Sequence, residues 1–250
     1  MDHPLQTILS RTGSFPLDVA HRLLQLHAGK SSVVFDPFCG KGTSLFAARM
    51  LNHSAYGLDI APEAVICAAA KLIDVNLGRW TNYVNALRLR HRSISDVPSY
   101  VKVFFHPATL SQILAIRDKF LRDVNSSQEG QRANAIFGLA NLLGILHGHA
   151  TYSLSLPCAH AFSMAPGYVK RYAQKHGLEA PIQNVKLCLI EKAKRCLRLG
   201  VPNSVASAVT RGCARSCSAV FPELVGKVDL ILTLLHISMP RLLWRFCSAR

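Results

Sequence analysis

The chain has 250 residues, half of them apolar, and 29 basic against 14 acidic side chains give it a formal net charge of +15. That length and apolar share suit a globular protein with one sizeable core, or one domain carrying a large insertion. The charge excess favours a polyanion partner, although a ribosome-bound protein, a membrane-surface protein or a basic surface that binds nothing would have the same composition. The eight cysteines include no Cys-x-x-Cys pair, and Cys213-x-x-x-Cys217 lacks a second pair, which argues against a zinc site. The polar N-terminus has no signal-peptide core, so a cytoplasmic chain with reduced thiols is expected.

In chain order, Val19 to Leu26 is an amphipathic run. Ser32-Val33-Val34-Phe35 reads as a short strand, Asp36 to Thr43 as a glycine-bearing loop, and Ser44 to Leu51 as a helix. Ala55 to Ile60 is a second strand-like run, and residues 61–76 read as a helix with Pro62 in its first turn. Residues 79–92 are basic and aromatic, with Arg79, Trp80, Tyr83, Arg88, Arg90, His91 and Arg92. Helical spacing returns over 107–124, where Leu110, Ile113, Leu114, Ile116, Phe120 and Leu121 are apolar. A polar break at 125–132 precedes another helix from Ala133. The apolar stretch Ala133 to Ala150 is interrupted by Asn134, Asn141, His147 and His149, so it predicts a buried helix and no membrane span. His147 and His149 read as helix-end residues, not as metal ligands. Residues 153–157 and 162–168 read as loop, 182–199 as a basic helix, and Val228 to Thr233 as a buried strand.

Strand, glycine loop, helix is the layout of a nucleotide-cofactor site in an open α/β sheet, because glycines let the backbone approach a ligand and the helix N-terminus offers free N–H groups. Asp59 ends the second strand at the spacing of a β-α-β unit, where a carboxylate accepts from ribose hydroxyls. The loop is neither Gly-x-Gly-x-x-Gly nor a P-loop, since Lys41 is followed by Gly42. Asp36-Pro37-Phe38-Cys39-Gly40-Lys41-Gly42-Thr43 instead resembles motif I, Asp-Pro-Phe-x-Gly-x-Gly-Thr, of the S-adenosyl-L-methionine (AdoMet) enzymes that methylate exocyclic base amines. The resemblance implies that Asp36, Pro37, Phe38, Gly40, Gly42 and Thr43 border the methionine part of AdoMet, that Asp59 holds the ribose, and that Ile60 packs on the adenine. It extends upstream to His3-Pro4-Leu5 and Phe15-Pro16-Leu17, a segment that in DNA-modifying members helps to cover the cofactor.

The family's chemistry sits directly after strand four, in a polar-Pro-Pro-aromatic motif that orients the target amine and stacks on the flipped-out base. Here Thr233 is followed by Leu234-Leu235-His236-Ile237, so no catalytic residue is expected to be intact. The codons permitted for Leu234 to Leu242, read one base earlier, can encode Ser-Pro-Pro-Tyr-Phe-Asn-Ala-Gln-Thr. A nucleotide lost near the codon for Thr233 would account for this, making 234–250 an out-of-frame tail. A genuine short protein with an ordinary apolar tail is the alternative.

The expected fold is therefore α/β: a partial Rossmann-like AdoMet methyltransferase sheet, strands 1–4, with a large, mostly helical insertion. Residues 1–94 would form the AdoMet-binding half, 95–215 a target-recognition region, and 216–233 strand four. Within the insertion, Lys170, Arg171 and Lys175 are the candidate nucleic-acid residues; a solvated face is the bland reading of the same charges. The implied function is site-specific DNA methylation, cytosine N4 before adenine N6, in a chain inactive as written. An RNA guanine-N2-type methyltransferase and a non-catalytic AdoMet- or DNA-binding fragment are the rivals. DNA is the expected partner, with no membrane, and the resemblance admits a cognate restriction endonuclease.

Overall fold

The computed structural model describes residues 3–9, 16–148, 150–158 and 165–234. Helix α1 (Leu17–His27), strand β1 (Val33–Asp36), helix α2 (Thr43–Met50), strand β2 (Ser54–Asp59) and helix α3 (Pro62–Leu72) come first. Six helices follow: α4 (Leu77–Ala86), α5 (Ser99–Lys102), α6 (Pro107–Asp123), α7 (Glu129–Ile145), α8 (Pro166–His176) and α9 (Val185–Cys196). Strand β3 (Ser207–Arg211), the short α10 (Cys217–Val220) and strand β4 (Leu230–Ile231) complete the order. The chain divides into two units: residues up to 74 without 7–9, joined by those from 201 onward, and residues 7–9 with 75–200.

The first unit is built on a parallel sheet of order β3-β2-β1-β4. Parallel neighbours require crossovers, and α2 supplies the one between β1 and β2. The register runs from Val33↔Ser54 to Asp36↔Gly57 in the centre, and Ala55↔Ser207 to Asp59↔Arg211 on the β3 side. Helix α2 is buried from Thr43 to Arg49, which explains its nearly continuous small and apolar sequence. Another cluster joins Phe35 and Leu58 to Phe221 and Leu224. The Phe221 ring meets Phe35 at 6.0 Å and Tyr56 at 5.9 Å, both edge-on.

Arg49, at the end of α2, is wholly buried. Its guanidinium donates to the carbonyls of Lys71 at 3.0 Å, Ile73 at 2.9 Å, Pro202 at 2.6 Å and Asn203 at 3.0 Å, and pairs with the Asp74 carboxylate. These acceptors flank the points where the chain leaves the sheet unit and re-enters it.

The second unit is helical. Leu110, Ile113, Leu114, Ile116 and Phe120 of α6 are buried, as their spacing predicts. Trp80 of α4 packs edge-on against Phe137 of α7 at 5.1 Å, and Tyr83 stacks on Phe120. Asn76 caps α4 by accepting from the Arg79 N–H, Asn184 caps α9, and Gly177 ends α8 in the left-handed region. Among the described residues no helix is long and apolar enough to cross a membrane.

The structure differs from the sequence-based elements in several places. The helix expected over 61–76 ends at Leu72, and Asn76 starts a new one, because its side chain offers the N–H groups of the next turn an acceptor. Ser207–Arg211, inside the span expected to be mostly helical, is a sheet strand. Only Leu230–Ile231 of the run Val228 to Thr233 pairs as strand, and Ile231 is 40% exposed, because among the described residues β4 has β1 as its sole neighbour.

Candidate functional site

The loop between β1 and α2 is shaped by two glycines in the left-handed region, Gly40 at φ 50° and Gly42 at φ 74°. At Gly42 sterics add to this: a Cβ would lie 2.7 Å from the Cβ and 2.8 Å from the Cα of Ala68 in α3. Gly40 faces open space, with nothing within 4 Å of where its Cβ would be. The turn is fastened to the sheet by the Cys39 N–H, which donates to the Leu58 carbonyl at 2.9 Å.

Two carboxylates bracket this loop and differ in setting. Asp36 is 2% exposed; it accepts from the Phe38 N–H at 3.0 Å and from the Ser44 hydroxyl. Burial raises its carboxyl to about 6, against the opposing pull of the Ser44 and Thr233 hydroxyls and the Phe38 N–H. Asp59 is half-buried at the C-terminal end of β2 and accepts from the N–H groups of Gly40 and Ala61, each at 2.9 Å. Ile60, the next residue, is 70% exposed. Burial, followed by the Asp36 and Asp59 charges, pushes the Cys39 thiol far up, so it is no nucleophile.

Further residues that sequence reasoning missed hold the loop from beneath. Lys71, fully buried in α3, donates from Nζ to the Lys41 carbonyl and to Gln6 Oε1, both at 2.6 Å. Gln6 in turn donates to the Thr43 hydroxyl at 2.7 Å, and the His3 ring meets Phe46 edge-on at 5.1 Å. The N-terminal segment is thus tied to the loop. A lysine and a glutamine 65 residues apart carry no local pattern that would have paired them.

The structure brings together Asp36, Gly40, Gly42, Thr43, Asp59 and Ile60. Lys170, Arg171 and Lys175 lie in the other unit, exposed on α8, where Tyr168, Tyr172 and His176 form a ladder with ring centroids 5.8 and 4.3 Å apart. His147 packs against Phe104 and Phe105, and burial lowers its pKa; His149 lies outside the described residues. The described chain reaches Leu234 at the expected catalytic position after Thr233, and residues 235–250 lie outside it.

The residues present suit AdoMet. Asp59 ends β2 with carboxylate lone pairs to spare for a diol, Ile60 holds an apolar side chain in the open beside it, and Gly40 leaves room for a ligand against the backbone. Residues 6–71 match the family model described as DNA methylase (N6_N4_Mtase), a match that supports a DNA methyltransferase assignment for this part of the chain. No curated protein and no solved structure matches the chain.

Proposed function

We propose that the protein is an AdoMet-type DNA amino-methyltransferase whose cofactor half folds on β1, α2, β2 and α3 and whose catalytic motif is missing from the sequence as written. The observation that carries this reading is the joining of the Asp36–Thr43 loop to Asp59 through the Gly40 N–H, within the segment that matches DNA methylases. Bound AdoMet would supply an electrophilic methyl group on a sulfonium. The chain's part is placement. Asp59 and Ile60 would fix the ribose and adenine, the Gly40–Gly42 backbone would admit the methionine portion, and ionised Asp36 would favour the cationic end. A methyltransferase gains most of its rate by aligning the acceptor nitrogen and excluding water. The DNA methylase match leaves the RNA guanine alternative without support. The finer preference for cytosine N4 rests on the back-translated Ser-Pro-Pro-Tyr, and sequencing the gene across codon 233 reads that directly.

Calorimetric titration with AdoMet tests the cofactor reading. The folded protein binds it, and Asp59→Ala weakens binding by about tenfold or more, the scale of one hydrogen-bonded charged group. Tight binding of NAD or ATP with none of AdoMet overturns the reading. No methyl transfer is expected, because Leu234-Leu235-His236-Ile237 offers no polar-Pro-Pro-aromatic to orient an amine. Labelled methyl appearing in DNA incubated with purified protein and labelled AdoMet would contradict this.

A further inference from the structure

A cleft of about 870 Å³ opens in the helical unit between the end of α4, the arm that follows it, α6 and the start of α7. The arm, residues 87–92, alternates. Leu87 is buried and Leu89 half-buried, while Arg88, Arg90 and Arg92 are exposed. Two hydrogen bonds hold it to α6: the buried Ser111 hydroxyl donates to the Arg92 carbonyl at 2.7 Å and accepts from the Arg92 N–H at 3.0 Å. The cations therefore sit on a fixed backbone.

The charge balance inside the cleft is one-sided. Its single acid, Asp118, is already engaged by Arg117 and Arg92. Lys119 is paired with Asp123 at 2.5 Å, and Asp123 also accepts from the Tyr83 hydroxyl at 2.6 Å. Arg88, Arg90 and Arg122 have no carboxylate partner among the described residues, and all three are exposed around the same cleft. Gln128, Gln131 and Asn134 also line the cleft, with amides that donate and accept. Unpaired guanidiniums fit phosphate oxygens, and amides beside them suit groove edges and sugars.

We infer that this cleft, framed by Arg88, Arg90 and Arg122, is the principal binding surface for the DNA phosphate backbone. The inference deepens the methyltransferase reading and rests on it for the choice of DNA among polyanions. It moves the main contact away from Lys170, Arg171 and Lys175. Those cations are strung along the single helix α8, whereas the three arginines come from two segments and line one concave surface.

The test is fluorescence anisotropy of the full chain with a labelled duplex of mixed sequence over a salt series. Replacing Arg88, Arg90 and Arg122 together by Gln should lower affinity at low salt at least tenfold. It should also flatten the dependence of log K on log salt by about 2 to 3, near 0.9 for each lost phosphate contact. The three Lys replacements keep the charge and should keep most of the slope. Because all three positions are exposed, circular dichroism and thermal melting should match the parent, and AdoMet affinity should be unchanged. Parental affinity and slope in the Gln variant overturn the inference. So does a larger loss from Lys170→Gln, Arg171→Gln and Lys175→Gln together, equal competition by polyglutamate, or no DNA binding by the parent. If the parent binds DNA through the three arginines but does not bind AdoMet, the cleft stands and the methyltransferase reading falls.

Discussion

Arg49→Ala should destabilise the sheet unit by about 3–5 kcal/mol, the combined cost of buried carbonyls left without a donor and of the cavity left by a large side chain. A domain's whole net stability is about 5–15 kcal/mol, so this single change should take much of it. The loss follows from geometry. Four backbone carbonyls from two separate segments, at Lys71, Ile73, Pro202 and Asn203, would lose their shared donor, and a cavity the size of the side chain would open beside α2. Arg49→Lys keeps a charge but lacks the planar fork that spreads donors over these acceptors, so it should recover only part of the loss. Asp74→Asn should cost no more than about 1 kcal/mol, since the Asp74 side chain is 60% exposed and its ion pair is screened. Urea denaturation of the three variants checks the order. An Asp74 variant as damaged as the alanine variant would mean that the ion pair, and not the carbonyl cluster, holds the segments.

Asp36→Asn should leave the protein at least as stable above neutral pH while lowering its AdoMet affinity. Burial raises the Asp36 carboxyl from 3.8 in the unfolded chain to about 6 in the folded one. A group displaced in this direction gives its full stabilisation below about pH 3.8 and loses it as pH rises through about 6. The difference between the two values amounts to about 3 kcal/mol, so at pH 8 folding must bury an ionised carboxylate at roughly that disadvantage. The neutral amide removes the penalty and still offers one acceptor to the Phe38 N–H and Ser44 hydroxyl. Thermal melts at pH 5 and pH 8 should therefore diverge in the parent and converge in the variant through this group. If Asp36 serves the proposed cofactor site, calorimetry should show AdoMet affinity in the parent rising between pH 5 and pH 7, as the carboxylate forms, and staying flat in the variant. A variant whose melting temperature keeps the parental pH dependence would remove Asp36 from the explanation.

The turn geometry of the candidate site was legible in the sequence because its constraints are local. Positive φ at Gly40 and Gly42 demands glycine, and Asp59 falls at the end of the next strand by the length of one β-α-β unit. Helix α6 declared itself through 3.6-residue spacing. Strand β3 did not, since Ser207 to Thr210 are all half-buried and Arg211 is exposed, so no alternation marks a face. The burial of Arg49 and Lys71 was not legible, since their acceptors include groups from distant segments that no local pattern links. The basic run 79–92 stood out, but that Arg92 among its charges is neutralised depends on Asp118, in α6.

The sheet's connectivity also dictates an order of assembly. Strand β2 meets β3 through pairs such as Ala55 and Ser207, and Arg211 reaches the Ile60 carbonyl across 151 residues of sequence. As the chain emerges from a ribosome, every residue of the helical unit is made before the partner of β2 exists. Until then β2 presents unpaired N–H and C=O groups along one side, and the guanidinium of Arg49 lacks two of its carbonyls. Such an edge can recruit strands from other nascent chains. Slow elongation between residues 75 and 200 would lengthen that exposure, so the yield of folded protein should depend on translation speed through the helical segment, well away from the strands at risk.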